Sequence, residues 1–202
     1  SISTTGLNFS FACAIESLIK ASSCLIPTVN WVFDACLSFW YIVIISSLTF
    51  LSNTGSSYVK LWNAILDSNR YDDVQFISDI IDYMLINYDF IDHDKIYVLG
   101  FSNGGYMAYR LACDLGYRIA AFTSIAGNMF LDDDGFDCID QSRDIPILHV
   151  HGTEDPINSY YPGGNGVDIL DDQYLTVIES IDFWSNYHNY DIMQIDTILT
   201  NV

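Results

Sequence analysis

The sequence has few basic residues. Lysine and arginine together number 7 among 202 residues, against 26 aspartates and glutamates, so the formal net charge is −19. A nucleic-acid backbone would be repelled by such a surface, and no cluster of basic residues compensates for it. We therefore expect no nucleic-acid partner. The acidic surface favours solubility but says little about the fold.

Charged residues of either sign are nearly absent from the first part of the chain. Residues 1–60 contain two acidic and two basic residues, so the whole net charge of −19 falls on the later residues. The same part holds three of the five cysteines, and an odd number of cysteines excludes a complete set of internal disulfides. This shift in composition predicts an atypical apolar segment over residues 1–55 and a folded domain over residues 56–202.

The sequence also lacks the signals that accompany a membrane segment. Residues 31–52 form an apolar run of nearly membrane-spanning length, but no lysine or arginine clusters flank it and Asp34 interrupts it. No basic region precedes an apolar stretch at the start, so there is no convincing signal peptide. The first residue is serine, which we interpret as a processed chain or a fragment. We favour a buried strand at Phe39–Ile45; the alternatives are a membrane anchor and a segment foreign to the domain.

Short apolar segments alternate with amphipathic ones from residue 73 onward. Apolar residues of 73–88 recur at steps of three and four, which predicts a helix. Further helices are predicted over 103–115 and 171–187, and strands at Ile96–Leu99, Ile119–Ala126, Pro146–Val150 and in the tail 191–202. This alternation predicts an α/β fold with a mostly parallel sheet and helices on both faces. Ligands bind such sheets beyond the carboxyl ends of the strands.

One motif lies directly between a predicted strand and a predicted helix. The segment Gly100-Phe101-Ser102-Asn103-Gly104 fits the pattern G-x-S-x-G. A sharp turn there would place the serine at its apex, and the two glycines would remove side chains that collide with neighbouring elements. The Ser102 hydroxyl is then a candidate nucleophile, and the backbone N–H of Asn103 is a candidate oxyanion donor. The alternative is an ordinary glycine-rich turn.

A serine nucleophile needs a histidine base and an acid that orients it, and in this kind of fold both follow the serine along the chain. The segment HVHGTEDPI, residues 149–157, leaves a predicted strand and supplies Asp155, which we prefer to Glu154 as the acid. His188 is the one histidine after Asp155, but it ends a predicted helix, where a solvent-facing side chain is the ordinary interpretation. We expect the catalytic histidine in a later loop, beyond Val202.

Two further histidines, His149 and His151, lie two residues apart on a predicted strand and so share a face. Such a spacing can hold a metal ion, but we favour a strand end beside the cleft. The chemistry of a serine nucleophile uses protein groups alone, so we expect neither a metal nor another cofactor.

Four segments of the sequence resemble one known group of enzymes. They are DDVQFISDIID, KIYVLGFSNGGYMAYRLAC, RIAAFTSIAG and ILHVHGTEDPI, and they are similar to the polyhydroxybutyrate depolymerase and feruloyl-esterase-like group of α/β-hydrolases, over roughly residues 60–190. The resemblance implies a carboxylic-ester hydrolase, often secreted, that acts on polyesters, short acyl esters or feruloyl esters of plant cell walls. It also implies that Ser102 is the nucleophile and Asp155 the acid.

The sequence departs from the pattern of that group in two places. Members have an early His-Gly turn that supplies a second oxyanion N–H, and residues 1–60 contain no match to it. Their catalytic histidine lies in a late Gly-Gly-His-like loop, which would fall beyond Val202. Two other features agree with the group. The pair Trp62-Asn63 is similar to a Trp-Asn pair before its first helix, and Cys113 and Cys138 are placed where a secreted member could form a disulfide.

These observations lead to one expected function and two alternatives. We expect a serine esterase with an α/β-hydrolase fold that is incomplete at both ends of this sequence, located outside the cell or in the periplasm. Its partner is an ester substrate, and we expect no membrane association; the oligomeric state is not predicted. The alternatives are a serine peptidase of the same fold and a truncated product without activity. As an isolated fragment the chain is expected to be nearly inactive, because loss of a triad member removes several orders of magnitude in rate.

Overall fold

The computed structural model describes residues 42–46, 61–64, 71–130, 143–162 and 174–187, the first of these by its backbone alone. Four strands and three helices lie in these ranges: β1 (Ile42–Ser46), α1 (Asp73–Asn87), β2 (Ile96–Phe101), α2 (Asn103–Asp114), β3 (Ile119–Ile125), β4 (Ile147–Val150) and α3 (Val177–Tyr187). None of the helices in these ranges combines the length and the hydrophobicity that a membrane span requires.

The four strands form one parallel sheet whose spatial order follows the chain, β1–β2–β3–β4. In β2, Gly100 lies opposite Ser46 of β1 and Ser124 of β3. The predicted parallel sheet is therefore confirmed for the described strands. A strand also occurs where the apolar pattern predicts one at Phe39–Ile45, with bounds Ile42–Ser46. The strand predicted in the tail, 191–202, lies outside the described residues.

Helix α1 begins where the sequence predicts it, because Asp72 caps it. The Asp72 carboxylate accepts a hydrogen bond from Gln75 N (2.9 Å), which satisfies one of the N–H groups that the first turn leaves without an intrahelical partner. Val74, Ile77 and Ile81 are buried on one side of the helix. These three side chains are part of the hydrophobic core beside the sheet.

Helix α3 begins at Val177, later than the periodicity of residues 171–187 predicts, so the prediction is wrong at this end. A capping box starts the helix there: Glu179 Oε2 accepts from Thr176 N (2.9 Å), and Thr176 Oγ1 accepts from Glu179 N (3.4 Å). Tyr174, which the apolar pattern places inside the helix, instead forms an antiparallel bridge with Phe130. The apolar spacing therefore begins several residues before the position at which the capping side chains fix the first turn.

Aromatic rings attach two of the helices to the sheet. Tyr109 of α2, Phe122 of β3 and Trp184 of α3 are buried, and their ring centroids lie 4.9–6.0 Å apart in edge-to-face arrangements. The indole N–H of Trp184 donates to Ile145 O (2.9 Å), so its one polar atom is satisfied in the interior. This cluster holds α2, the helix that follows Ser102, against the sheet.

Candidate active site

Ser102 occupies the junction of β2 and α2 in a conformation that serine seldom adopts. Its backbone angles are φ 53° and ψ −119°, in the positive-φ region that favours glycine. Three hydrogen bonds hold this turn: Ser102 N donates to Ile125 O (2.8 Å), and Ser102 O accepts from Gly105 N (2.7 Å) and Tyr106 N (3.2 Å). A strained serine between a strand and a helix is the backbone arrangement that exposes a nucleophile in α/β-hydrolases.

Glycines let the backbone segments around Ser102 approach one another closely. A Cβ atom added to Gly100 would lie 1.8 Å from Gly104 O, and one added to Gly127 would lie 2.5 Å from Ser102 O. The role of Gly100 is the one that the G-x-S-x-G pattern predicts. Gly127, which follows β3, was not identified from the sequence, because its contact with the turn joins residues far apart in the chain.

Asn103, the predicted oxyanion donor, is the first residue of α2, so its backbone N–H belongs to the turn whose N–H groups lack intrahelical partners. Its side chain is fixed by the backbone of Trp62: Trp62 N donates to Asn103 Oδ1 (2.6 Å), and Asn103 Nδ2 donates to Trp62 O (3.3 Å). The next residue, Asn63, is buried and receives support from α1, since Asn63 N donates to Asp73 Oδ2 (2.7 Å). The Trp62-Asn63 pair thus lies beside the turn at Ser102.

Asp155 lies in the loop that follows β4, at the same edge of the sheet as the turn at Ser102. Its Oδ1 accepts hydrogen bonds from Ile157 N (2.8 Å) and Asn158 N (3.0 Å), which makes a local turn around the carboxylate. Its Oδ2 lies 3.3 Å from His151 Nε2, and 17% of the Asp155 side chain is exposed. Glu154, the less favoured acid, is exposed.

Asn158 connects the Asp155 loop to the helix that follows Ser102. The hydroxyl of Tyr106 donates to Asn158 Oδ1, and Asn158 Nδ2 donates to Ala126 O (2.8 Å). Ala126 itself has a positive φ of 51°, and its N–H donates to Val150 O (2.9 Å). The role of Asn158 was not identified from the sequence. The one sequence signal for it is its position three residues after Asp155, because an aspartate side chain can accept a hydrogen bond from a backbone N–H in the turn that follows it.

A chain of hydrogen bonds, which we call the histidine chain (Tyr109, His149 and His151), runs from α2 to the Asp155 loop. Tyr109 Oη lies 2.9 Å from His149 Nδ1, and His149 Nε2 lies 3.1 Å from His151 Nδ1. His151 Nε2 lies 3.0 Å from Asn158 O. Because each ring nitrogen has a protein partner, neither histidine offers a free nitrogen to Ser102.

The remaining histidines are placed differently. His93 lies in the turn before β2, whereas Ser102 follows β2 at its other end, so His93 is not at the sheet edge that carries Ser102 and Asp155. His188 lies outside the described residues. Within the ranges that the structure describes, no three histidine, cysteine or carboxylate side chains are grouped so as to hold a metal ion.

Burial keeps the histidine chain uncharged. It lowers the pKa of His149 to about 3, and the repulsion between the two rings when both are protonated contributes less. Burial also lowers the pKa of His151, although the nearby Asn158 carbonyl and Asp155 carboxylate act in the opposite direction. The pKa of the Tyr109 hydroxyl is raised, because its charged form would be desolvated in the interior.

Acidification is expected to destabilise the protein through His149. Its folded pKa of about 3 lies below the ordinary value of 6.5, so between these two values the unfolded chain binds a proton that the folded chain does not. Stability is therefore present in full above about pH 6.5 and falls as the pH decreases. From pH 7 to pH 5 we expect the free energy of unfolding, measured by urea denaturation, to lose about 1–2 kcal/mol from this group.

The matched control for this prediction is His149→Gln, which does not titrate and keeps an N–H donor near His151 Nδ1. The loss between pH 7 and pH 5 should be smaller in the variant by about the same 1–2 kcal/mol. Repulsion among the acidic side chains changes equally in both proteins and cancels in the comparison. Equal losses would contradict a neutral, partly buried His149.

Comparison with known proteins extends these observations. Residues 67–188, more than half of the chain and the part that contains Ser102 and Asp155, match the phospholipase/carboxylesterase family. A bifunctional acetylxylan esterase/xylanase of Neocallimastix patriciarum is 38% identical over 88 residues, which cover 44% of this chain and 12% of that protein. Feruloyl esterase B of Piromyces equi is 31% identical over 117 residues, which cover 57% of this chain and 22% of that protein.

Among solved structures, a thermostable esterase is 30% identical, with a TM-score of 0.35; the match covers 42% of this chain and 21% of that one. The chain thus spans less than a quarter of the length of each of these proteins. The family match covers the elements from before α1 to the end of α3, including the β2–α2 junction that carries the strained serine. The chain therefore belongs to the phospholipase/carboxylesterase family of α/β-hydrolases.

Proposed function

We propose that this protein is a serine esterase that hydrolyses carboxylic esters through an acyl-enzyme, with Ser102 as nucleophile. The observation that carries the proposal is the positive φ of Ser102 at the β2–α2 junction, on the sheet edge that it shares with Asp155. Ser102 Oγ attacks the ester carbonyl carbon and gives its proton to a histidine. The Asn103 N–H stabilises the resulting oxyanion, the alcohol leaves with that proton, and water then hydrolyses the acyl group from Ser102.

The proposed base is a histidine outside the described residues, held by Asp155. The ring nitrogens of His149 and His151 are engaged in the histidine chain, and His93 belongs to the turn before β2. His188 and a histidine in a loop beyond Val202 are the two candidates, and we favour the later loop. In that case the 202-residue chain can be acylated by a reactive ester but turns over slowly, because both proton transfers lack their base.

The proposed substrates are polyesters, short acyl esters or feruloyl esters of polysaccharides, as in the polyhydroxybutyrate depolymerase and feruloyl-esterase-like group. Two relatives are named as an acetylxylan esterase and a feruloyl esterase, which supports an acyl group carried on a polysaccharide. Exposed rings near the turn and the acid loop agree with such a substrate. Phe101 directly precedes Ser102 and is half exposed, and Tyr160 and Tyr161 have ring centroids 4.8 Å apart.

We also propose that the protein acts outside the cytoplasm and that its hydrolase domain spans residues 56–202, preceded by an atypical segment over 1–55. Cys113 is disulfide-bonded, and disulfides persist mainly in oxidising compartments. The predicted partner, Cys138, lies outside the described residues. Strand β1 shows that part of the earlier segment, residues 42–46, pairs with the sheet of the proposed domain.

The test of this function is to trap the acyl-enzyme. The protein is mixed with p-nitrophenyl acetate, quenched in acid after seconds to minutes, and digested for mass spectrometry. We expect one acetyl group on the peptide that contains Ser102. This readout does not require rapid turnover, because a missing base slows the hydrolysis of the acyl-enzyme as well as its formation.

Two comparisons complete the experiment. Protein unfolded in urea should show no acetyl group on Ser102, because the turn that activates this serine is then lost. A p-nitroanilide of the same acyl group should leave Ser102 unmodified over the same interval, whereas a serine peptidase would react with it. Acetyl groups found on lysines alone, or equally in folded and unfolded protein, would refute the proposed function.

A further inference from the structure

The histidine chain can arrange its protons in one direction only. At its end, His151 Nε2 faces Asn158 O at 3.0 Å and Asp155 Oδ2 at 3.3 Å. A carbonyl and an ionised carboxylate can only accept, so this nitrogen carries the hydrogen. Because His151 is buried and neutral, its Nδ1 must accept, and His149 Nε2 must donate to it. His149 Nδ1 then accepts from the hydroxyl of Tyr109.

The donor at the end of the histidine chain reaches the carboxylate oxygen that the loop backbone leaves open. Asp155 Oδ1 already accepts two backbone hydrogen bonds, from Ile157 N and Asn158 N. Oδ2 faces His151 Nε2 instead. The His151 side chain is fully buried while the Asp155 side chain is 17% exposed, so the donor approaches from the interior and the outward side of the carboxylate stays open.

We propose that His151 is a positioning residue for Asp155: its Nε2–H, fixed in direction by His149 and Tyr109, orients Oδ2 and anchors the Asn158 carbonyl of the same loop. The carboxylate then presents its remaining lone pairs outward, to the histidine that would receive the Ser102 proton. His151 acts through Asp155 and makes no contact with the reacting atoms. The inference rests on the proposed function for the role of Asp155, whereas the direction of the hydrogen bonds is independent of it.

Two substitutions of His151 distinguish the effect of its N–H donor position from the effect of its ring volume. In His151→Gln the amide nitrogen can reach the place of His151 Nε2, whereas in His151→Asn it reaches only the place of Nδ1. We expect amide hydrogen exchange at Ile157 and Asn158 to become about tenfold faster or more in the asparagine variant and to stay within about threefold of wild type in the glutamine variant. A residue that merely fills space would affect both variants alike.

The Ala126 amide, which donates to Val150 O, serves as an internal control and should exchange at the wild-type rate in both variants. If the asparagine variant fails to fold, the wild-type protein still provides a test of the proposal. In its long-range proton–nitrogen NMR spectrum at pH 7, His149 and His151 should both appear as neutral Nε2–H tautomers. The proposal would be overturned by a charged His151, by an Nδ1–H tautomer of either histidine, or by equal amide hydrogen exchange rates in the two variants.

Acetyl transfer from p-nitrophenyl acetate to Ser102 provides a second measurement. In protein that contains the base histidine, its rate should fall about tenfold in the asparagine variant and be restored in the glutamine variant, because Asp155 acts on Ser102 only through that base. Absence of transfer in the wild-type protein would count against the proposed function alone, because tautomer state and exchange are measured without substrate. Normal transfer in both variants of a protein that contains the base histidine would overturn the positioning role of His151 and leave Ser102 as the nucleophile.

Discussion

Replacing Ser102 with glycine is expected to abolish acetyl transfer and, at the same time, to raise the free energy of unfolding by about 1 kcal/mol. Both effects come from one position. The serine has φ 53° and ψ −119°, and glycine adopts such angles without a steric penalty from a Cβ atom. We expect this relief of strain to outweigh the destabilising effect of the greater flexibility of glycine in the unfolded chain. The lost hydroxyl is the proposed nucleophile: its removal takes away the atom that would carry the acetyl group, and in a serine hydrolase with a complete triad it lowers kcat by roughly a million-fold.

Ser102→Ala is the matched control for this experiment, because it removes the hydroxyl but keeps the Cβ atom and therefore the backbone strain. Acetyl transfer should disappear in both variants, whereas urea unfolding should place the alanine variant within about 0.5 kcal/mol of wild type. Equal stability of the glycine and alanine variants would show that the turn stores no strain. Acetylation of the Ser102 peptide region in the alanine variant would exclude Ser102 from the reaction.

Replacing Gly100 with alanine is expected to lower the free energy of unfolding by about 4 kcal/mol or more, or to prevent folding. The added Cβ would lie 1.8 Å from Gly104 O, 2.1 Å from Gly104 C and 2.7 Å from Gly105 N. All three atoms belong to the backbone of the first turn of α2, so no side-chain rotation relieves the clash. The helix would have to move away from β2, which disrupts the close packing on which both elements depend.

Gly152→Ala is the control for the Gly100 substitution. Gly152 follows β4 near Asp155, and a Cβ atom there meets no atom within 4 Å. Its free energy of unfolding in urea should stay within about 0.5 kcal/mol of wild type. A Gly100→Ala protein with a wild-type midpoint would contradict the close approach of β2 and α2.

The turn at Ser102 could be predicted from the sequence because all its determinants are local. These determinants lie within about twenty residues of one another: a strand rich in β-branched residues, the glycines on either side of the serine, and the amphipathic helix that follows. The same holds for the parallel sheet, which follows from alternating strand and helix patterns. The start of α3 was misplaced, although Thr176 and Glu179 have the spacing of a capping box, because apolar periodicity alone extends the helix too far.

The contacts that hold the site together could not be predicted, because they join residues that are distant in the chain. Trp62 and Asn103 are 41 residues apart, and Tyr106 and Asn158 are 52 apart. The spacing of His149 and His151 predicts that both lie on one face of a strand; in the structure His149 lies in β4, whereas His151 follows its last residue, and the two rings stack with centroids 5.3 Å apart. Nothing in that spacing indicates that they bond to each other and to Tyr109 of α2, since a polar group's long-range partner is selected only when the elements pack.

The order of the strands has a consequence for the way in which the protein is made. Because β1, β2, β3 and β4 lie side by side in the order of synthesis, each strand that leaves the ribosome meets a neighbour that has already emerged. The turn at Ser102 closes on Ile125 O and packs against Gly127, so the residues that make these two contacts leave the ribosome before the loop that contains Asp155. The nucleophile is therefore expected to be shaped during translation, ahead of the acid that is to serve it.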